Sequence, residues 1–308
     1  MIQIRDLRVD YDTFCAVRDL SLSVEAGDVC GLIGPNGAGK TTTMRAMLGL
    51  LEPTYGEIEV MGVDVRSRPK DACRLIGFMP DFPPVYEDLL VWEFVDLFAA
   101  SYGIPRHKRA AEIDRHLDMV GLTEKKKAGI TGLSRGMRQR LMLAKTLIPN
   151  PSVLLLDEPA SGVDPQGRID LKNILKRLAE EQKSVLVSSH ILTEMNEFCT
   201  SVAIMERGRL VVSGKIDEVN RRVMGDSMIV VDVVGEADAF LAAMTGARGA
   251  GPVERKNGSY EFRFDGDAEA ASTLLTMLVS QGVRVSGFTR RRDNLEELFL
   301  KVGSRELS

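Results

Sequence analysis

The chain has 308 residues and a mass of 33.9 kDa, which allows two domains or one large one. Hydrophobic residues make up 44% and charged residues 27%, the balance of a soluble globular protein with enough apolar material for a core. A formal net charge of -4 and a pI near 5.6 leave no overall basic field that would ask for nucleic acid, so none is expected as a partner.

Up to about Glu59 the pattern is strand-rich. IQIRDLRV alternates apolar and polar residues, DLSLSVEAG alternates again, and a turn falls at Ala26-Gly27-Asp28. The opening MIQIRDLRVDYD carries acids early, unlike a signal peptide. VCGLIG is an apolar strand that stops at glycine, and Lys40 to Leu50 reads as helix. EPTYGEIEVMG predicts a loop and a strand, and LIGFMP predicts another strand. Pro83 and Pro84 bar regular helix from Asp81 to Tyr86.

Three helices follow in a row: Val91 to Tyr102, then HKRAAEIDRHLDMVGL, then one beginning near Ser134 and running through RQRLMLAKTLI. They predict a helical subdomain, about residues 82–150, inserted in an α/β core. The β–α rhythm then resumes with SVLLLDEP as a buried strand, GRIDLKNILKRLAEEQ as helix, SVLVSSH as strand and ILTEMNEFCT as helix. SVAIMERGRLVVSG reads as a hairpin turning at Arg207-Gly208. A boundary falls near Gly214–Arg222 and is placed after residue 220. Beyond it, residues 221–308 form a small α+β domain: strands in SMIVVDVVG, SYEFRFD and VRVSGFTR, helices in ADAFLAAMTG, EAASTLLTMLVSQ and NLEELFLKV. No apolar run approaches the length needed to cross a bilayer, so any spanning would fall to another polypeptide.

The four cysteines, Cys15, Cys30, Cys73 and Cys199, show no paired metal-ligand spacing. Cys30 in its apolar run reads as a buried free thiol, which fits a reducing cytoplasm. His107 and His116 lie in polar helical surroundings and are expected to be solvated.

Gly34 to Thr41 spell GPNGAGKT, a phosphate-loop match placed between an apolar strand and a helix, the context the motif needs. Gly34, Gly37 and Gly39 let backbone N–H groups fold round phosphate oxygens, with Asn36, Ala38 and Thr42 completing the loop. Lys40 is expected to reach the β/γ-phosphates and Thr41 to ligate Mg²⁺. VLLLDEP ends a buried strand on two acids: Asp157 as a Mg²⁺ holder and Glu158 as the base for a water facing the γ-phosphate. His190 closes SVLVSSH; it is either a surface histidine or a contact to the γ-phosphate or its water. LSRGMRQR begins a basic helix that Ser134 can cap.

In this order, GPNGAGKT, inserted helices, LSRGM, LLLDEP, SGVD and a strand-final histidine resemble the ATP-binding cassette family. Within it, the chain is similar to the ATPase subunit of bacterial ABC-2 type exporters, the class of drug and sodium efflux systems. The resemblance covers residues 1–220 and, more loosely, the tail. It implies an α/β fold: a P-loop NTPase cassette with an N-terminal antiparallel β subdomain, the inserted helices and the small C-terminal α+β domain. It also implies ATP and Mg²⁺ at the site. Tyr11 would stack on adenine. Ser134 and Gly136 would touch the γ-phosphate held by a second copy, and Ser161, Gly162 and Asp164 would cross the same interface. Asp81 falls where the family usually has glutamine and can serve Mg²⁺ or a water, but ionised it accepts only. Arg135 stands where glycine is commoner, and Met137 where glutamine is commoner.

The resemblance further implies ATP hydrolysis in a dimer, a homodimer by default with a heterodimer left open, each ATP sandwiched between one phosphate loop and the other subunit's signature loop. It implies docking on a multi-helix permease at the cytoplasmic face of the membrane. Tyr86, Trp92, Phe94 and Phe98 either pack internally or line a groove for a helix of that permease. A soluble cassette ATPase outside transport, or a regulatory nucleotide-binding module, remains as an alternative. A small-molecule kinase would leave LSRGM and SGVD unexplained.

Overall fold

Alternating burial along IQIRDLRVDY and FCAVRDLSLSV makes two one-sided strands, β1 (Ile2–Tyr11) and β2 (Phe14–Val24). They pair antiparallel, and β4 (Tyr55–Val60) and β5 (Val63–Asp64) extend the sheet in the order β2-β1-β4-β5. A computed structural model of the chain describes residues 1–81, 85–191, 195, 197–216, 218–219, 227–235, 237–256 and 258–291. The expected helices in ILTEMNEFCT and NLEELFLKV fall wholly or partly outside the described residues. The chain divides into two compact units, Met1–Ile216 and Asp217–Ser308, where the sequence reading placed the break after residue 220.

The second sheet of the first unit is built around fully buried strands. β3 (Val29–Ile33), β6 (Ile76–Met79), β7 (Val153–Leu156) and β8 (Ser184–Ser189) run parallel, with β9 (Ser201–Glu206) beside β3. β10 (Arg209–Lys215) closes the edge antiparallel, giving β10-β9-β3-β8-β7-β6. Arg207 and Gly208 turn this hairpin at φ 48° and 81°, as the sequence predicts.

Helix α1 (Lys40–Met47) contributes Met44 and Met47 to one core shared with Ile2, Leu7 and Leu20 of the first sheet and Leu32, Leu155 and Leu186 of the second. The helix stops short of the predicted Leu50, because Leu48 closes it and Gly49 turns at φ 65°. α2 (Pro69–Leu75) leads into β6.

Between β6 and β7 stand α3 (Val91–Ser101), α4 (Arg106–Met119) and α5 (Arg135–Leu147), the inserted helical subdomain. Phe94 is fully buried and meets Phe98 edge-on at 5.0 Å, so the α3 aromatics pack largely inward, while Tyr86 stays exposed. His116 corrects its expected solvation. It is 1% exposed, with Nδ1 2.7 Å from the Glu112 carbonyl and Nε2 3.1 Å from the Leu147 carbonyl, and so bridges α4 to the end of α5. α6 (Pro165–Glu180) follows β7, capped by Asp164 and opened by a proline whose fixed φ suits that position.

The second unit alternates β11 (Ser227–Val233), α7 (Ala237–Met244), β12 (Ala250–Lys256), β13 (Ser259–Phe264), α8 (Ala268–Ser280) and β14 (Val285–Arg291). The strands order β12-β13-β11-β14, all antiparallel, the split βαβ arrangement. Phe240, Phe262, Phe264 and Leu278 form its own core.

Candidate nucleotide site

Parallel strands deliver their C-terminal ends to one edge of the sheet, and the chemistry collects there. β3 runs into the phosphate loop, β6 into Asp81, β7 into Asp157 and Glu158, and β8 into His190. An open cleft of about 270 Å³ is lined by Tyr11, Asn36, Gly37, Ala38, Gly39, Lys40, Thr41, Thr42, Asp81, Asp157 and Glu158, together with Phe14, Ala16 and Pro35.

The loop is folded tightly onto the sheet. A Cβ at Gly34 would stand 2.4 Å from the Met205 carbonyl, and one at Gly39 would stand 2.6 Å from the Ala16 carbonyl. Gly39 also takes φ 103° where it caps α1. Only glycine fits at either position. Lys40 is 6% exposed and its Nζ donates to the Gly34 carbonyl at 2.7 Å and the Pro35 carbonyl at 3.3 Å. The same ammonium lies 3.6 Å from Glu158 Oε1.

The two acids are held differently. Asp157 is buried; its Oδ2 accepts from Thr41 Oγ1 at 3.0 Å and its Oδ1 from Ser188 Oγ at 2.5 Å. Glu158 sits at φ 51°, rare for a residue with a side chain. Its N–H donates to Ser188 Oγ at 2.9 Å, and its Oε2 lies 2.9 Å from His190 Nδ1. Asp81 is half-buried with Oδ1 unpartnered. Burial, then the nearby charges of Glu158 and Asp157, push its pKa up, with Arg135 and His190 opposing.

These donors suit a hard divalent cation. Thr41 and Asp157 offer oxygens already side by side, and Asp81 Oδ1 is a buried acceptor that lacks a partner. Among the described residues, no group of three or more His, Cys, Asp and Glu side chains is placed to hold a metal ion. Such a cation would therefore lean on the Thr41 hydroxyl as well as on the acids.

Ser134, Gly136 and Asp164 lie outside this cleft. Ser134 Oγ accepts from Met137 N–H at 3.2 Å, the helix cap that the sequence suggests. Gly136 lines a separate small cavity with Met79, Gln139 and Val163. Asp164 Oδ1 accepts from Gly167 N–H at 3.1 Å. The arginines behind them are scaffold: Arg138 pairs with Glu87 at 2.9 Å and Arg140 with Asp170 at 3.2 Å.

Two residues at the site, and one on α5 beside the loop that follows Glu158, escape the sequence reading. Phe14, 58% exposed, is the cross-strand partner of Tyr11 and shares its cleft. Ser188 joins Asp157 to Glu158. Gln139 reaches the Ser161 carbonyl at 3.5 Å. The signals were available: YDTF places two aromatics across a two-residue turn, and a pair of serines ends an otherwise apolar strand.

The ABC transporter family pattern matches residues 17–161, and that of the DrrA1-3-like ATP-binding protein C-terminal domain matches residues 214–302. An uncharacterised ABC transporter ATP-binding protein, YxlF of Bacillus subtilis, is 32% identical over 98% of this chain and 99% of its own length. The chain belongs to the ATP-binding proteins of ABC transporters. The Nod factor export ATP-binding protein I of Cupriavidus pinatubonensis is 33% identical to this cassette protein, covering 100% of it and 92% of the relative. A dimeric ATP-binding cassette solved in a post-hydrolysis state with ADP and Pi shares the cassette fold: TM-score 0.63, over 70% of this chain and 99% of that one, at 23% identity.

Proposed function

We propose that this chain is the ATP-hydrolysing subunit of a membrane exporter, working as a dimer of two copies docked on a separate multi-helix permease at the cytoplasmic face of the membrane. The observation that carries the reading is the single cleft in which Lys40, Thr41, Asp157 and Glu158 converge. Residues 1–220 act as the cassette, with residues 82–150 as its helical subdomain, and residues 221–308 as an accessory domain that braces the dimer. Export rests on the likeness to a Nod factor export protein.

Hydrolysis of ATP to ADP and phosphate needs no covalent intermediate, so positioning and charge carry it. Loop N–H groups from Gly34 to Thr42 cradle the phosphates, and Lys40 places its charge on the β/γ oxygens. Glu158, held between Lys40 and His190, takes the proton of the attacking water. His190 fixes that carboxylate by one ring nitrogen and turns the other toward the γ-phosphate. Thr41, Asp157 and Asp81 would hold Mg²⁺, which supplies neutralisation of the phosphate charge when bound. Tyr11 stacks on adenine.

Ser134, Gly136 and Asp164 stand outside their own cleft, which supports their serving the ATP of a second copy. The dimeric state described for a cassette of like fold points the same way. ATP then joins two copies, and loss of the γ-phosphate releases them. Among the described residues, no helix is long and apolar enough to cross a membrane, in keeping with a separate permease.

Glu158→Gln is the test. ATP binding should persist, hydrolysis should stop, and the dimer should accumulate with ATP on size-exclusion chromatography. An unchanged hydrolysis rate would overturn the role of Glu158. Affinity capture should bring down a multi-helix membrane protein; ribosomes or DNA ends instead would overturn the transport reading.

A further inference from the structure

The turn that follows Glu158 is bracketed by two left-handed residues, Glu158 at φ 51° and Gly162 at φ 64°. Ser161 N–H donates back to the Glu158 carbonyl at 3.1 Å, and Val163 N–H to Ala160 at 3.3 Å. The backbone of the reacting glutamate is thus part of a small folded loop. A glutamate in the left-handed region persists only where its surroundings over-determine it. On the upstream side these are Ser188, His190 and Lys40.

On the downstream side the restraint comes from the first turn of α5 in the same chain. Gln139 holds the Ser161 carbonyl, and a Cβ at Gly136 would already touch Val163 at 3.4 Å. Arg135, the first residue of α5, occupies the space beside Gly162. A Cβ at Gly162 would stand 2.4 Å from Arg135 Nη1, 2.5 Å from Cζ and 2.9 Å from Nε. The guanidinium thus fills the space where any side chain at Gly162 would stand.

We propose that Arg135 is a positioning residue for hydrolysis: its guanidinium pins Gly162 and, through the Ser161-to-Glu158 turn, holds Glu158 toward the water it activates. The inference rests on the hydrolytic reading above. It gives the arginine of LSRGM a function inside its own chain. Arg135 also adjoins Ser134, so whatever binds at the start of α5 is joined to the glutamate of the same copy through two contacts. In a dimer, a γ-phosphate seated at one site then acts on Glu158 of the other.

The experiment is steady-state hydrolysis of MgATP by the full chain. Arg135→Ala should lower kcat about tenfold or more with KM within about twofold, because the nucleotide cradle is untouched while the base is misplaced. Arg135→Lys should recover part of the loss, having charge but no planar face. Gly162→Ala should also lower kcat, and the double variant should be no slower than the slower single one, the non-additivity of two residues acting through one contact. A purely structural role would lower folded yield without that KM-against-kcat split. If Arg135→Ala folds poorly, Arg135→Gln keeps a flat amide and replaces it. Unchanged kcat, a KM that rises as kcat falls, or additive losses would each overturn the proposal. A native chain that hydrolyses ATP while Glu158→Gln does not leaves the functional reading standing whatever Arg135 does; an inactive native chain overturns both.

Discussion

Removing the hydroxyl of Ser188 should harm both folding and turnover. The side chain is fully buried at the end of β8, donates to Asp157 Oδ1 at 2.5 Å and accepts the Glu158 N–H at 2.9 Å. Ser188→Ala strands a buried N–H, worth about 1–3 kcal/mol, and deletes a bond to a carboxylate, worth about 1.5–3 kcal/mol. The two losses overlap at one site, so about 2–4 kcal/mol of stability should disappear, read as a lower midpoint in urea denaturation. If about 1.4 kcal/mol of that is also lost in placing Glu158 at the transition state, kcat falls about tenfold. ATP KM should hold, because Ser188 does not line the cleft. The assay is phosphate release under saturating MgATP, beside the urea titration. A variant with native midpoint and native kcat would refute the claim that Ser188 ties the two acids together.

Loss of either cleft aromatic should weaken nucleotide binding without slowing chemistry. Tyr11→Ala and Phe14→Ala should each cost about 1–3 kcal/mol of base stacking, read as a raised Kd for a fluorescent ATP analogue. Gly39→Ala should abolish nucleotide binding, since φ 103° and the Ala16 carbonyl both resist a Cβ; retained binding would show that the loop can shift. His116 carries a pH prediction. Burial pushes its pKa below the ordinary 6.5, more than its contacts to the Glu112 and Leu147 carbonyls raise it; Arg115 lowers it and Glu112 raises it. The unfolded chain therefore binds more protons, and stability present above pH 6.5 is lost as pH falls toward the folded value. His116→Gln should flatten that acid slope in denaturation midpoints between pH 7 and pH 5; an equal slope would locate the proton elsewhere.

The parts legible in the sequence are those where local pattern and tertiary role coincide. The phosphate loop needs its residues contiguous, so GPNGAGKT reads directly. One-sided and fully buried strands announce their burial by period, as IQIRDLRV and VLLL do. β12 does not, because it is an edge strand: Pro252 lies where the register shifts between Ala250 and Val253, and Arg255 and Lys256 face solvent. His116 misleads for a different reason. Its neighbours on α4 are charged, but the partner that buries it is the end of α5, 31 positions further on. Ser188 is likewise defined by Asp157 and Glu158, some thirty positions earlier in the chain, which no local window contains. Arg135 reads as a departure in the signature turn; that it lies over Gly162 is visible only once α5 and the loop after Glu158 are folded together.

The phosphate cradle has a consequence for how such a protein can change. In the proposed reading its recognition groups are main-chain amides beside the Lys40 ammonium, and its two tightest glycines are hemmed in by carbonyls of β2 and β9. At Gly34 and Gly39 there is no side chain to delete, while adding one atom collides with the frame. A saturation screen would find these two positions closed to any gain, with Lys40 and Thr41 as the loop side chains whose loss is felt. Affinity for nucleotide can drift by small steps more readily through the exposed aromatic hairpin, where Tyr11 and Phe14 have room to be exchanged.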